Sequence, residues 1–149
     1  MLINNVEEFD SGKGKIHKTD DTKLLEMVNK NTFPQIFMTY FLGPSLLARG
    51  LHKAAVVDMT STYANYDNKR IPVYSASKAL QAQQSEVFGL EYEDQLDILT
   101  VKAEPVKSKR FPDGVDASQL VDNVFESLGN TRVSDGRRNI FARSHTNTA

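Results

Sequence analysis

Tyr74 and Lys78 stand four residues apart in the stretch Ile71-Pro72-Val73-Tyr74-Ser75-Ala76-Ser77-Lys78-Ala79-Leu80. Ala76, Leu80, Val87 and Leu90, with Gln83 between them, recur at steps of three and four residues, which predicts a helix. On a helix the two side chains stack on one face. An ammonium beside a phenol favours the phenolate and so lowers the phenol's pKa. A tyrosine tuned in this way can exchange a proton near neutral pH. A bare Tyr-x-x-x-Lys is usually a surface pair, so the weight falls on what accompanies it. Ser61 closes the apolar run Ala54-Ala55-Val56-Val57-Asp58-Met59-Thr60, Asn31 follows a helix-like stretch, and Leu2-Ile3-Asn4-Asn5 opens the chain.

The elements that must carry these residues follow from pattern and punctuation. Met1 to Val6 reads as a short buried strand, and Phe9 to Asp21 as a polar loop. Gly12-Lys13-Gly14 in that loop has no third glycine and no strand-to-helix setting, so it reads as a flexible connection rather than a phosphate cradle. Asp21 to about Leu42 is expected to be a long helix capped by Asp21 or Thr22. Leu24, Leu25, Val28, Thr32, Ile36 and Thr39 or Tyr40 would form its inner face. Pro34 lacks an N–H for the Lys30 carbonyl and should kink this helix, and Gly43-Pro44 should bend or interrupt it.

Ala54 to Thr60 is almost continuously apolar, as a parallel strand covered on both faces requires. Ser61 at its carboxyl end sits where such sheets meet ligands. Pro72 suits the first turn of the Tyr74 helix, which should end near Tyr92. Leu96 to Val101 is the next strand, and Lys102 to Val115, with Pro105, Pro112 and Gly114, a mobile loop. Asp116 to Leu128 is a helix with Leu120, Val121, Val124 and Leu128 on one side and Gly129 as its cap. Asn139 to Arg143 is a last short strand before a frayed end. Residues 1–149 thus form a single α/β domain: an open parallel sheet of about four strands with helices on both faces.

Composition excludes several functions. The 149 residues are 40% hydrophobic and 25% charged, which suits one modest core. A net charge of −1 draws the chain neither to nucleic acid nor to an anionic membrane, and the clusters Lys107, Lys109, Arg110 and Arg137, Arg138 read as solvated loop faces. There is no cysteine, and His17, His52 and His145 lack metal-ligand spacing. No run approaches the roughly 18 apolar residues of a membrane span, and the N-terminus has no signal-peptide pattern. A soluble, cytoplasmic location is the default expectation.

Taken together, Leu2-Ile3-Asn4-Asn5-Val6, Met27-Val28-Asn29-Lys30-Asn31 with Met38-Thr39, Ser61, and Tyr74-Ser75-Ala76-Ser77-Lys78 resemble the short-chain dehydrogenase/reductase family over residues 1 to about 143. The likeness is to its branch of 17-beta-hydroxysteroid dehydrogenases and very-long-chain 3-oxoacyl-CoA reductases. It implies a partial Rossmann-like, doubly wound sheet that begins where the family's fourth strand begins, without the nucleotide-binding βα units that precede it there. It also implies roles. Tyr74 would give a proton to a carbonyl oxygen or take one from an alcohol, and Lys78 would tune Tyr74 and bind the nicotinamide ribose. Ser61 would hydrogen-bond the developing oxyanion and Asn31 would hold a relay water. Asn5, Tyr74, Lys78 and Ser108 would contact NADP or NAD.

The chain departs from the family at two points that bear on the cofactor. Glu7 stands where the family has a glycine after Asn-Asn-Ala/Val, and Glu104 replaces the glycine of a Pro-Gly pair. The resemblance therefore supports three readings. The first is an NAD(P)(H)-dependent oxidoreductase of ketone or secondary-alcohol groups on lipid-like substrates, steroid or 3-oxoacyl in type, that is not self-sufficient as this chain. The second is a non-catalytic remnant serving as a structural or accessory subunit, and the third a fragment with no role of its own. Because the first strand would leave an unpaired edge, a protein partner or a second copy is expected to cover it.

Overall fold

The computed structural model describes residues 1–9, 15–50, 54–65, 70–130 and 133–134. Four strands, β1 (Leu2–Asn4), β2 (Ala55–Ser61), β3 (Asp97–Ala103) and β4 (Val133–Ser134), pair in the order β1-β2-β3-β4. All three pairings are parallel, with Leu2 opposite Val56, Val57 opposite Leu99, and Thr100 opposite Val133. Parallel neighbours need crossover connections. These run through α1 (Asp21–Leu47), α2 (Pro72–Glu91) and α3 (Ala117–Ser127). The strand expected at 139–143 lies outside the described residues, as do the expected frayed end and Gly12-Lys13-Gly14; Val133–Ser134 takes the fourth place in the sheet.

β2 and β3 are buried almost throughout, as their apolar runs require. On one face, Leu2, Val56, Leu96 and Ile98 pack with Leu46, Leu47 and Phe88 of the two long helices. On the other, Val57, Leu99 and Val101 pack with Leu120 and Val124 of α3. The sheet is thus the boundary between two separate apolar clusters.

Several helix details differ from expectation. Asp20, rather than Asp21 or Thr22, caps α1, its carboxylate accepting from the Lys23 N–H at 3.2 Å. Neither Pro34 nor Gly43-Pro44 ends this helix, which runs on to Leu47; the Ala48 N–H donates to the Pro44 carbonyl at 3.1 Å. The larger correction concerns faces. Ala76, Leu80, Gln83, Val87 and Leu90, whose spacing marks α2, all point outward. The buried face of α2 carries Tyr74, Ser77, Lys78, Gln81, Ala82, Ser85 and Gly89. In α1, Thr32 and Thr39 are buried as expected, but Leu25 and Tyr40 are exposed and Met27, Asn31 and Gln35 take the interior.

The reason lies in how the two helices meet. They pack through hydrogen bonds and small side chains rather than aliphatic ones: the Gln35 amide donates to the Gln81 carbonyl at 3.1 Å, and Asn31 to Ser77 at 2.9 Å. Pairing of this kind is what makes most buried polar groups tolerable.

The segment after β3 is pinned at its base. Val106 bridges Val115, the Lys107 N–H donates to the Val115 carbonyl at 2.8 Å, and the Val115 N–H to the Pro105 carbonyl at 2.9 Å. Gly114 makes this possible, since a Cβ there would fall 2.5 Å from the Pro105 oxygen. The expected mobile loop is therefore closed on itself at this end.

Candidate active site

Three elements deliver the predicted residues to one place. Pro72 opens α2 and sets Tyr74 in its first turn, buried against Met27 and Ile71, with Lys78 one turn on. Ser61 ends β2, where the chain leaves the sheet in a short 3-10 turn (Thr62–Ala64), and its hydroxyl accepts from the Tyr63 N–H at 3.2 Å. The segment after β1 brings Glu7 across the top. The Tyr74 hydroxyl donates to a Glu7 carboxylate oxygen at 3.2 Å, and the Lys78 ammonium lies 3.5 Å from that same oxygen. Ser61 is close enough to the phenol to lower its pKa through a hydrogen bond.

The electrostatics reverse one expectation. Tyr74 is held well above the ordinary tyrosine range, first by burial and then by the Glu7 charge, with Ser61 opposing. The expected lowering by Lys78 is not what this geometry produces. The ammonium sits 5.7 Å from the Tyr74 ring centre, and Glu7 stands between the two polar ends and pairs with it. Lys78 itself is 1% exposed and its pKa is lowered by burial, with Glu7 partly restoring it.

Asn31 is fully buried and committed elsewhere. Its side-chain oxygen accepts from the Glu8 N–H at 2.7 Å, while its amide donates to the Glu8 carbonyl and to Ser77, both at 2.9 Å. It therefore clamps the Glu7–Glu8 backbone to α2. Of the adjoining asparagines, Asn4 is buried, donating to Asp58 at 2.7 Å, and Asn5 is exposed and lines the cleft. Ser108 also lines it, although its hydroxyl is used to accept from the Phe111 N–H at 3.2 Å.

The site opens into a cleft of about 580 Å³ beyond the carboxyl ends of β1 and β2, walled by Ile3, Met59, Val106, Val121, Val124 and Phe125. That size suits a small organic ligand and the apolar walls suit a hydrocarbon skeleton. Sequence reasoning missed the aromatic shell. The Phe9 ring meets the Tyr74 ring edge-on at 4.7 Å, Tyr63 lies 6.2 Å from it, and the Arg110 guanidinium covers Phe9 at 4.0 Å. No periodicity or spacing links Phe9 or Arg110 to Tyr74, so no local signal could have found them. Among the described residues no cluster of His, Asp and Glu could hold a metal ion, and no helix is long and apolar enough to cross a membrane.

A model of the short chain dehydrogenase family matches residues 1–112. The chain belongs to that family. Short chain dehydrogenases also stand among the solved structures it resembles. A 7beta-hydroxysteroid dehydrogenase superposes with a TM-score of 0.77 at 18% identity, over 89% of this chain and 54% of that one. A short chain dehydrogenase from Burkholderia cenocepacia in complex with NADP gives 0.76 at 20%, over 89% and 59%. A bulky-bulky ketone specific alcohol dehydrogenase from Comamonas testosteroni gives 0.73 at 19%, over 85% and 49%. The chain therefore spans about half the length of these structures. Comparison with curated proteins found no match. At these identities the shared property is the partial Rossmann-like fold of this oxidoreductase family.

Proposed function

We propose that this chain carries the carbonyl and proton-transfer end of an NAD(P)(H)-dependent oxidoreductase acting on ketone or secondary-alcohol groups of lipid-like substrates, steroid or 3-oxoacyl in type. One observation carries the reading: a buried phenol, next to the Ser61 hydroxyl, faces an apolar cleft at the carboxyl ends of parallel strands. Two hydroxyls in that arrangement are suited to one carbonyl oxygen, Ser61 donating to the developing oxyanion and Tyr74 supplying the proton. In the reverse direction Tyr74 receives the alcohol proton. The apolar walls hold a hydrocarbon body while the polar end orients its oxygen.

The fit to a nicotinamide dinucleotide is partial. Tyr74, Lys78, Asn5 and Ser108 all border the cleft, as binding of the nicotinamide end requires. Glu7 does not fit, because its carboxylate holds the ammonium that a ribose would need. Nor does the sequence contain a glycine-rich turn opening a helix to cradle a pyrophosphate. The dinucleotide, which supplies the hydride when bound, would thus rest mainly on a second folded segment. A folded segment that carries such a turn, placed against the edge of β1, is the proposed source, and it would also bury that edge.

Glu7 favours a second reading, in which the chain is a non-catalytic accessory subunit that keeps its family's fold. A turnover assay separates the two. The chain is mixed with NADPH or NADH and a steroid ketone or 3-oxoacyl thioester, with and without the nucleotide-binding half of a family member, and nicotinamide absorbance is followed. Oxidoreductase function gives turnover in the complemented mixture that falls on the order of 100-fold or more in Tyr74→Phe. Absence of turnover in every mixture, or turnover indifferent to Tyr74, contradicts it and favours the accessory subunit.

A further inference from the structure

Among the described residues Glu7 is the carboxylate that reaches both Tyr74 and Lys78, and its placement is built rather than incidental. Asn31 fixes the next residue from both sides, binding the Glu8 N–H at 2.7 Å and the Glu8 carbonyl at 2.9 Å. The Glu8 carboxylate is held in turn by Lys30 at 3.0 Å. Asn31 is anchored to Ser77, the residue before Lys78 on α2. The backbone under Glu7 is therefore tied to the helix that carries Tyr74 and Lys78. The Glu7 side chain remains 49% exposed, whereas that of Lys78 is 1% exposed.

We infer that Glu7 is a positioning residue that latches the site: its carboxylate joins the Tyr74 hydroxyl to the Lys78 ammonium, and it must swing toward solvent before an anionic or dinucleotide ligand can reach Lys78. With the latch closed, Tyr74 and Lys78 form a neutral cluster with Glu7, and the phenol's proton is directed at Glu7 rather than into the cleft. Because the backbone is clamped, opening is a side-chain rotation. The exposed side of Glu7 gives it somewhere to go, and the buried ammonium has no comparable freedom.

Removing the carboxylate should act on both partners in the same direction. Glu7 raises the phenol's pKa by its charge and by its hydrogen bond, and it supports the charged form of Lys78 against burial. Other groups bordering the cluster are the Ser61 hydroxyl and Tyr63 after β2, and Glu104, Lys107 and Arg110 after β3. All of these stay unchanged in a Glu7 variant, so a difference between variant and parent reports Glu7.

The inference deepens the proposed function by describing the same site, but its test needs no turnover. The full chain is labelled with ¹³C at the tyrosine ring carbon bearing the hydroxyl and with ¹³C at the lysine side-chain carbon next to nitrogen. NMR titrations then compare parent with Glu7→Gln and Glu7→Asp, with Tyr74→Phe and Lys78→Met assigning the resonances. Both midpoints are expected to fall in Glu7→Gln. Glu7→Asp, one methylene shorter and unable to span both groups, should move at least one of them and covers the case in which Glu7→Gln does not fold. Midpoints equal to the parent's in the folded variants would overturn the latch. If the midpoints move while the turnover assay stays silent, the latch stands and the oxidoreductase reading falls.

Discussion

The two faces of the sheet are built to different standards. One lies under α1 and α2, helices of 27 and 20 residues, and its interior is rich in polar pairs: Asn31 with Glu8 and Ser77, the Gln35 amide with the Gln81 carbonyl, Thr100 with Ser85; the side-chain oxygens of Gln35 and Gln81 accept no hydrogen bond. Among the described residues the other is covered by the 11-residue α3, and beside it Met1, Ile3, Val6, Val121 and Phe125 are about half exposed. Parallel sheets normally bury both faces. The two-helix face holds Tyr74 and Lys78 buried, while the other borders the apolar cleft. Tyr74, Lys78 and Ser61 thus meet at the junction of a polar, two-helix face and a more exposed apolar one.

Substitutions on the two faces should separate accordingly. Asn31→Ala removes three hydrogen bonds at a fully buried position and strands the Glu8 N–H and carbonyl, so a loss of roughly 3 kcal/mol is expected by denaturant titration. A loss below about 1 kcal/mol would mean that the two-helix face does not depend on its polar pairs.

Asp58 tests the same face through pH. It is 1% exposed, accepts from Asn4 at 2.7 Å and has the Ser85 hydroxyl close by, yet burial still raises its pKa above the ordinary carboxylate value. The folded chain therefore holds the Asp58 proton more tightly than the unfolded chain. Its contribution is fully present below the unfolded carboxylate pKa and is lost as pH rises through the raised folded one. Thermal midpoints should fall across that window in the parent, and this part of the fall should vanish in Asp58→Asn. A parallel pH dependence in the two proteins would show that Asp58 is not charged at a cost.

The smallest effect is expected on the open face. Phe125→Ser, at a residue 57% exposed, should change monomer stability by no more than about 0.5 kcal/mol. Its signature is association: light scattering should show less self-assembly or weaker capture of a complementing half than in the parent. A large stability loss instead would mean that this face is already closed.

Much of this arrangement was legible in the sequence, for identifiable reasons. Near-continuous apolar runs mark β2 and β3, Pro72 marks the start of α2, and Gly129, at a φ of +76°, marks the stop after α3. The spacing of Tyr74 and Lys78 put them together, and Ser61 at a strand end put it nearby. The orientation of α2 was not legible. Its apolar stripe looks like a core face, whereas the interior side is polar because it meets another helix through hydrogen bonds. The state of Tyr74 was hidden as well. Glu7 stood out as a carboxylate in a glycine's place, but its contact with Tyr74 spans 67 residues of sequence and no local pattern encodes it. The Phe9 ring against Tyr74, and the Arg110 guanidinium over Phe9, depend on the same long-range closure.

In the proposed function Tyr74 and Ser61 serve proton transfer while Glu7 keeps Lys78 from the dinucleotide. Titration of the purified chain with NADPH and with NADH, following nicotinamide fluorescence, addresses that claim directly. The expected result is no saturation up to about millimolar cofactor, because Glu7 holds Lys78 and the sequence has no glycine-rich turn to receive the pyrophosphate. Saturable binding by the unmodified chain at micromolar concentrations would contradict it.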